Sequence, residues 1–153
     1  MAQYSIREVI EQAIRTEQLG MKFYQEMAER FKDNQEIKDL FETLATKEKL
    51  HEERFKELKD LLGEEEPEGW DEVSEYMRAI VESEFFLGSE KSLAKIKSIS
   101  TYQEAVEYAL GFEKETLVYY IGIRKTIKEK DILDEIINEE QSHIMWLNRF
   151  ARK

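Results

Sequence analysis

The chain has no cysteine among its 153 residues, which excludes disulfides, thiolate zinc sites, iron–sulfur clusters and thiol nucleophiles together. It has one proline and six glycines, so helices can run long without a breaker. A basic surface is also missing. The 34 Asp and Glu against 23 Lys and Arg leave a net charge of −11, which suits cations and not a nucleic acid or an anionic membrane. No run approaches the roughly 18 apolar residues of a membrane span, and Met1 to Arg15 lacks the apolar core of a secretion signal. A cytoplasmic location is therefore expected. What is present is a hydrophobic share of 41% and an aromatic share of 11%, enough for one packed core in a single domain over 1–153.

Four long amphipathic helices are expected. Ser5 with Glu8 makes a capping box, followed by a stripe of Ile6, Ile10, Ala13, Tyr24, Met27 and Phe31. A second helix from about Asp33 or Asn34 carries Ile37, Phe41, Leu44, Phe55, Leu58 and Leu62 and closes at Gly63. The stretch 63–100 reads as a crossover, with an acidic Glu64-Glu65-Glu66-Pro67 run, a short helix from Asp71 to about Phe86 and a weaker one from Lys91 to Ile99. Within it, Glu84-Phe85-Phe86-Leu87-Gly88 is expected to be buried under the crossover or at a dimer contact. Thr101 with Glu104 opens the third long helix, with Val106, Ala109, Leu117, Tyr120 and Ile127; Asp131 is expected to cap the fourth, with Leu133, Ile136, Leu147 and Phe150. Hairpin 5–62, crossover 63–100 and hairpin 101–152 make an all-α, ferritin-like four-helix bundle with one long, partly helical crossover between the second and third long helices.

Each apolar stripe has a gap, and each gap is filled by a residue type that ligates metals. These are Glu17, Glu48 with His51, Glu113, and Glu140 with His143. The second long helix reads Leu44, Glu48, His51, Phe55 along its inner face, and the fourth reads Ile136, Glu140, His143, Leu147. Glu and His three apart share one helical face and can reach one ion. Burying a carboxylate costs many kcal/mol unless it is paired, protonated or coordinated. No Lys or Arg occupies the inward positions at this level, whereas two divalent cations would balance four carboxylates and leave both imidazoles neutral. The chain has just two His, and each follows a Glu by three residues. The halves also repeat a Glu followed by Tyr seven residues on, Glu17 with Tyr24 and Glu113 with Tyr120. The tyrosines are expected chiefly to pack, with hydrogen bonding to a ligand carboxylate as the alternative. Glu52, Glu53 and Glu139 lie off the inner face and are expected to meet solvent.

Two single Glu and two Glu-x-x-His motifs form the ligand set of ferritin-like di-iron and di-manganese carboxylate proteins. The sequence resembles the rubrerythrin-like branch of that superfamily. The resemblance rests on Glu17-x-x-Gly20-x-x-Phe23-Tyr24, on Phe41-Glu42-Thr43-Leu44-Ala45 leading to Glu48-Lys49-Leu50-His51, and on Glu140-Gln141-Ser142-His143. It implies two iron ions per chain, held by Glu17, Glu48, His51, Glu113, Glu140 and His143, with manganese or zinc able to bind the same donors. It also implies reduction of hydrogen peroxide or oxygen, and commonly a homodimer or larger assembly. Two departures stand out. Rubrerythrins proper add a cysteine-bound iron module, which this chain cannot build, so electrons would come from a separate donor protein. They also tend to carry a second Glu one turn beyond the third-helix ligand, where this chain has Thr116; Glu115 points about 200° away from Glu113. Gly20 and Thr116 are small and are expected to leave room for the oxidant. The other functions open to such a site are iron oxidation for storage, hydroxylation of an organic substrate, and a non-catalytic bundle stabilised by its metal.

Overall fold

The computed structural model describes residues 5–63, 66–83, 86 and 90–152. Six helices hold most of them: α1 (Ile6–Arg30), α2 (Gln35–Leu61), α3 (Trp70–Val81), α4 (Glu90–Ser98), α5 (Tyr102–Arg124) and α6 (Asp131–Ala151). There is no strand among the described residues. Three of the four long helices begin at side-chain caps, which satisfy amide groups that have no partner within the helix. Ser5 Oγ accepts from Glu8 N at 3.0 Å, the Asn34 side chain from Ile37 N at 3.3 Å, and Thr101 Oγ1 from Glu104 N at 3.2 Å.

The fourth long helix starts differently from the sequence expectation. Lys130, already in helical conformation, occupies the cap position, and Asp131 is the first helical residue without a side-chain cap bond. Asp131 and Asp134 instead place negative charge in the first turn, where the helix dipole favours it. Other boundaries also move. The α3 helix ends at Val81 rather than near Phe86, and α5 ends at Arg124, so Ile127 lies beyond it, just past the turn at 125–126, while still 5% exposed. Gly63 does not take a left-handed cap; among the described residues the positive φ belongs to Gly69, at 75°, immediately before α3. Of the run 84–88 only Phe86 is described, and it is buried with its ring 5.5 Å from Tyr119; the rest, like Glu64 and Glu65, lies outside the described residues.

The long helices form a square in which α1 packs on α2, α2 on α6, α6 on α5 and α5 on α1, with α3 lying against α5. No helix among the described residues is long and apolar enough to cross a membrane. The core is divided in two. One half gathers Ile10, Ala13, Phe55, Leu58, Ile123, Leu133 and Ile136; the other gathers Phe23, Met27, Phe41, Leu44, Val106, Phe112 and Leu147. In every long helix the chain passes from one half to the other through a few polar residues, so the break between the halves is a polar layer crossing the whole bundle. Phe31, Leu62, Leu117 and Phe150 sit at the edges of the two halves, half-buried rather than central.

Candidate metal centre

The polar layer consists of the six residues whose types interrupt the apolar stripes. Glu17 on α1, Glu48 and His51 on α2, Glu113 on α5, and Glu140 and His143 on α6 are each at most 1% exposed. Their donor atoms fall into two groups, each with all atoms within 4.8 Å of one another: Glu48, Glu113, Glu140 and His143 in one, Glu17, His51 and Glu140 in the other. Glu140 belongs to both and is the residue placed to bridge them.

The hydrogen bonding of this layer is incomplete in a patterned way. Glu17 Oε2, Glu113 Oε2, both oxygens of Glu48 and of Glu140, and Nδ1 of both histidines have no hydrogen-bond partner. Buried polar atoms are normally paired, so so many unmet lone pairs facing one another demand an occupant. His51 Nδ1 lies 3.0 Å from Glu140 Oε1 and 3.5 Å from Glu17 Oε1, close without hydrogen-bond alignment. His143 Nδ1 is 3.6 Å from Glu140 and 3.8 Å from Glu113. Oxygen and imidazole donors of this number and convergence fit a pair of divalent transition-metal ions.

Without such ions the layer must share protons. Burial, together with the charges of Glu17, Glu113 and Glu140, pushes Glu48 well above the usual carboxylate range. Burial and the neighbouring Glu140 charge raise Glu113 to about 7, with His143 partly offsetting them. Burial alone would lower the imidazoles, but the carboxylates outweigh it: Glu17 and Glu140 bring His51 up to about 12, and Glu113 and Glu140 bring His143 up to about 10. Burial would raise Glu140 too, yet the close approach of Glu113, His143 and His51 takes it down to about 2. The histidines act as stand-in cations until a metal takes their place.

Both tyrosines of the repeat reach this layer. The Tyr24 hydroxyl donates to Glu113 Oε1 and the Tyr120 hydroxyl to Glu17 Oε1, each at 2.6 Å. These reciprocal bonds cross between α1 and α5, which run antiparallel. Burial and the adjacent carboxylates raise both phenols well above their ordinary value, so they remain donors.

Three expectations need correction. Glu139 is not solvent-facing: its Oε2 lies 2.6 Å from His51 Nε2 with the side chain 35% exposed. Glu52 is 8% exposed and accepts from Gln18 at 2.9 Å and from Lys56 at 2.8 Å, whereas Glu53 is exposed as expected. Gly20 does not leave free room, because a Cβ there would meet Glu48 Oε2 at 2.9 Å; its missing side chain is the space the Glu48 carboxylate uses. Thr116 is 1% exposed and its hydroxyl has no partner, unlike Thr16, which bonds back to Gln12 O at 2.8 Å. Glu139 could have been found only from the α2–α6 register, which places it opposite His51.

Comparison with known proteins agrees with this geometry. A family model described as Rubrerythrin matches residues 8–143. Among solved structures, a Thermotoga maritima protein assigned as a ferritin-like diiron-carboxylate protein superposes with a TM-score of 0.70 at 25% identity, covering 100% of this chain and 98% of its own. A comparison with curated proteins gives no match. With the family model reaching into all four long helices and taking in every residue of the polar layer, the chain belongs to the rubrerythrin family.

Proposed function

We propose that the chain is a di-iron oxidoreductase that reduces hydrogen peroxide or oxygen, with electrons delivered by a separate donor protein. The observation that carries this reading is the convergence of six buried donor residues whose lone pairs are otherwise unmet. Glu17, His51 and Glu140 would hold one ion, and Glu48, Glu113, Glu140 and His143 the other. Four carboxylates would then be balanced by two divalent cations, as no Lys or Arg forms an ion pair with the layer among the described residues.

Iron bound there would supply two one-electron reductants side by side for cleavage of an oxygen–oxygen bond. The protein supplies the rest. Tyr24 and Tyr120 hold one oxygen each of Glu113 and Glu17, which fixes the direction of the free oxygens. The two apolar half-cores close the layer above and below and exclude bulk water. Thr116, where a further carboxylate would stand in the family pattern, offers a short side chain and an unpaired hydroxyl, and so narrows the donor set on that side.

The test is metal analysis of protein purified without chelator, followed by stopped-flow mixing of the ferrous form with peroxide and with oxygen. About two irons per chain and rapid single-turnover oxidation are expected. Oxidation with progressive accumulation of iron in a many-subunit shell would point to storage instead, and iron that reacts with neither oxidant would leave a structural metal.

A further inference from the structure

The α2 and α6 helices run antiparallel, and their register is fixed by contacts that cross between them. Glu139 lies opposite His51, and one turn further Arg54 bonds Glu135 at 2.6 Å. The same register sets Lys47, the residue before Glu48, opposite His143, just as Glu139, the residue before Glu140, faces His51. The two halves of the bundle repeat their ligands, but not these two neighbours.

We propose that Glu139 is a positioning residue for the His51 ring, and that Lys47 in the equivalent place leaves the His143 ring unanchored, so that the two ion positions are unequal. Glu139 Oε2 accepts from Nε2–H of His51 at 2.6 Å, which sets the tautomer and turns the Nδ1 lone pair toward Glu17 and Glu140. Such a carboxylate on the outer nitrogen orients a ligating imidazole and raises its basicity. His143 has no such partner. Its Nε2 is buried and unbonded, and the ring is steadied by packing, with centroids 5.3 Å from Trp146 and 5.6 Å from His51. A lysine carries only donors and cannot accept an imidazole N–H. The His51 side therefore binds through a fixed ring, while the His143 side depends on the carboxylates of Glu48 and Glu113.

This rests on the dinuclear reading of the site, and cobalt(II) alone serves as the probe. Chelator-stripped wild type titrated calorimetrically is expected to take two ions in unequal steps. Glu139→Ala weakens one of the two by about ten- to a hundredfold and leaves the other within about twofold. Glu139→Gln, which keeps an acceptor without the charge, falls between. In the cobalt-loaded wild type the His51 Nε2–H gives a paramagnetically shifted, exchangeable proton resonance, which broadens into water exchange in Glu139→Ala. Lys47→Glu supplies the missing acceptor and tightens the other ion. Glu139 is partly exposed on a helix surface, so its replacement by alanine leaves the fold intact. Two wild-type ions with Glu139→Ala affecting neither, or both equally, overturn the positioning role alone; an unresponsive Lys47→Glu overturns the asymmetry; a wild type that takes fewer than two ions overturns the dinuclear reading along with both.

Discussion

The Tyr24 hydroxyl on α1 donates a 2.6 Å hydrogen bond to Glu113 Oε1 on α5, 89 positions along the chain, and Tyr120 returns the same bond to Glu17. Each phenol thus satisfies one oxygen of a buried carboxylate and leaves the other free. Replacing Tyr24 by Phe keeps the ring and removes the donor. An unsatisfied buried acceptor costs about 1 to 3 kcal/mol, which for a chain of this size lowers the melting temperature of the metal-free protein by roughly 2 to 12 °C. Tyr120→Phe should do the same, and the double replacement should depart from additivity, since both carboxylates belong to one proton-sharing layer with Glu48 and Glu140. Calorimetric melting of the metal-free variants checks this. An unchanged melting temperature would mean that the carboxylates find other partners.

The protons held by the layer set how the metal-free protein responds to pH. Glu113 is raised from 4.5 to about 7 and Glu48 is raised as well, so their contribution is complete below about 4.5 and is lost as pH rises through 7 and beyond. His51 and His143, raised from 6.5 to about 12 and about 10, contribute fully below 6.5 and lose that stability only in alkali. Glu140, lowered to about 2, acts in the opposite sense: its contribution is present above 4.5 and fades as pH falls toward 2. The metal-free melting temperature should therefore be higher near pH 5.5 than near pH 8. A metal-free melting temperature that falls on going from pH 8 to 5.5 would contradict the shared-proton state.

Metal binding must displace those protons, because ligating carboxylates are ionised and ligating imidazoles are neutral at the donor nitrogen. At pH 7 the metal-free layer carries protons on both histidines, and Glu48 holds its proton to higher pH than an ordinary carboxyl group. Loading with cobalt or zinc should release protons, and apparent affinity should rise with pH from 6 to 8. Calorimetric titration in buffers of differing ionisation enthalpy measures the release directly. Binding without proton release would show that these residues are not the ligands.

The six residues of the layer were legible because helical periodicity alone marks an interruption in an apolar stripe, and because both histidines of the chain sit three residues after a glutamate. Four interrupted stripes then had to meet, whatever the crossing angles. What periodicity does not carry is the register between helices distant in sequence. Glu139 sits off the inner face of its own helix, and only its placement opposite His51 gives it a partner. Gly20 is a similar case, since the carboxylate that needs its space comes from α2. Nor does a stripe say where a helix stops. Ile127 continues the spacing of α5, but the chain has already turned, with Thr126 Oγ1 bonded to Ile123 O at 2.8 Å, and Ile127 reaches the core from just past the turn.

Gly20→Ala separates folding from metal binding. The added Cβ would meet Glu48 Oε2 at 2.9 Å, Glu48 Cδ at 3.2 Å and Phe112 Cε1 at 3.3 Å. Exchanging Gly for Ala inside a helix gains about 1 kcal/mol, whereas overpacking costs about 1 to 3 kcal/mol, so global stability should change little or fall modestly. The carboxylate end of Glu48 is the movable neighbour, so it shifts, and affinity for the ion shared by Glu48, Glu113, Glu140 and His143 should drop about tenfold or more. Paired melting and metal-titration curves check both halves. Wild-type affinity in a folded Gly20→Ala protein would show that Glu48 is not a ligand in its observed position.

Gly122 performs the corresponding service for the crossover. A Cβ there would meet Met77 Sδ at 2.6 Å and Tyr76 Cε1 at 3.3 Å, so the glycine is what lets α3 lie directly on α5. Met77 is fully buried, but its unbranched thioether side chain can move, so Gly122→Ala should be tolerated at a cost of about 1 to 3 kcal/mol. Gly122→Leu exceeds what that side chain can yield and should lift α3 away, exposing Met77 and Trp70. The four long helices make their own contacts around the polar layer, so metal stoichiometry should survive. Limited proteolysis should then cut within 66–83 much faster than in the wild type, with the hairpins 5–62 and 101–152 left whole. Equal cleavage rates would show that α3 is held by something other than its close approach at Gly122.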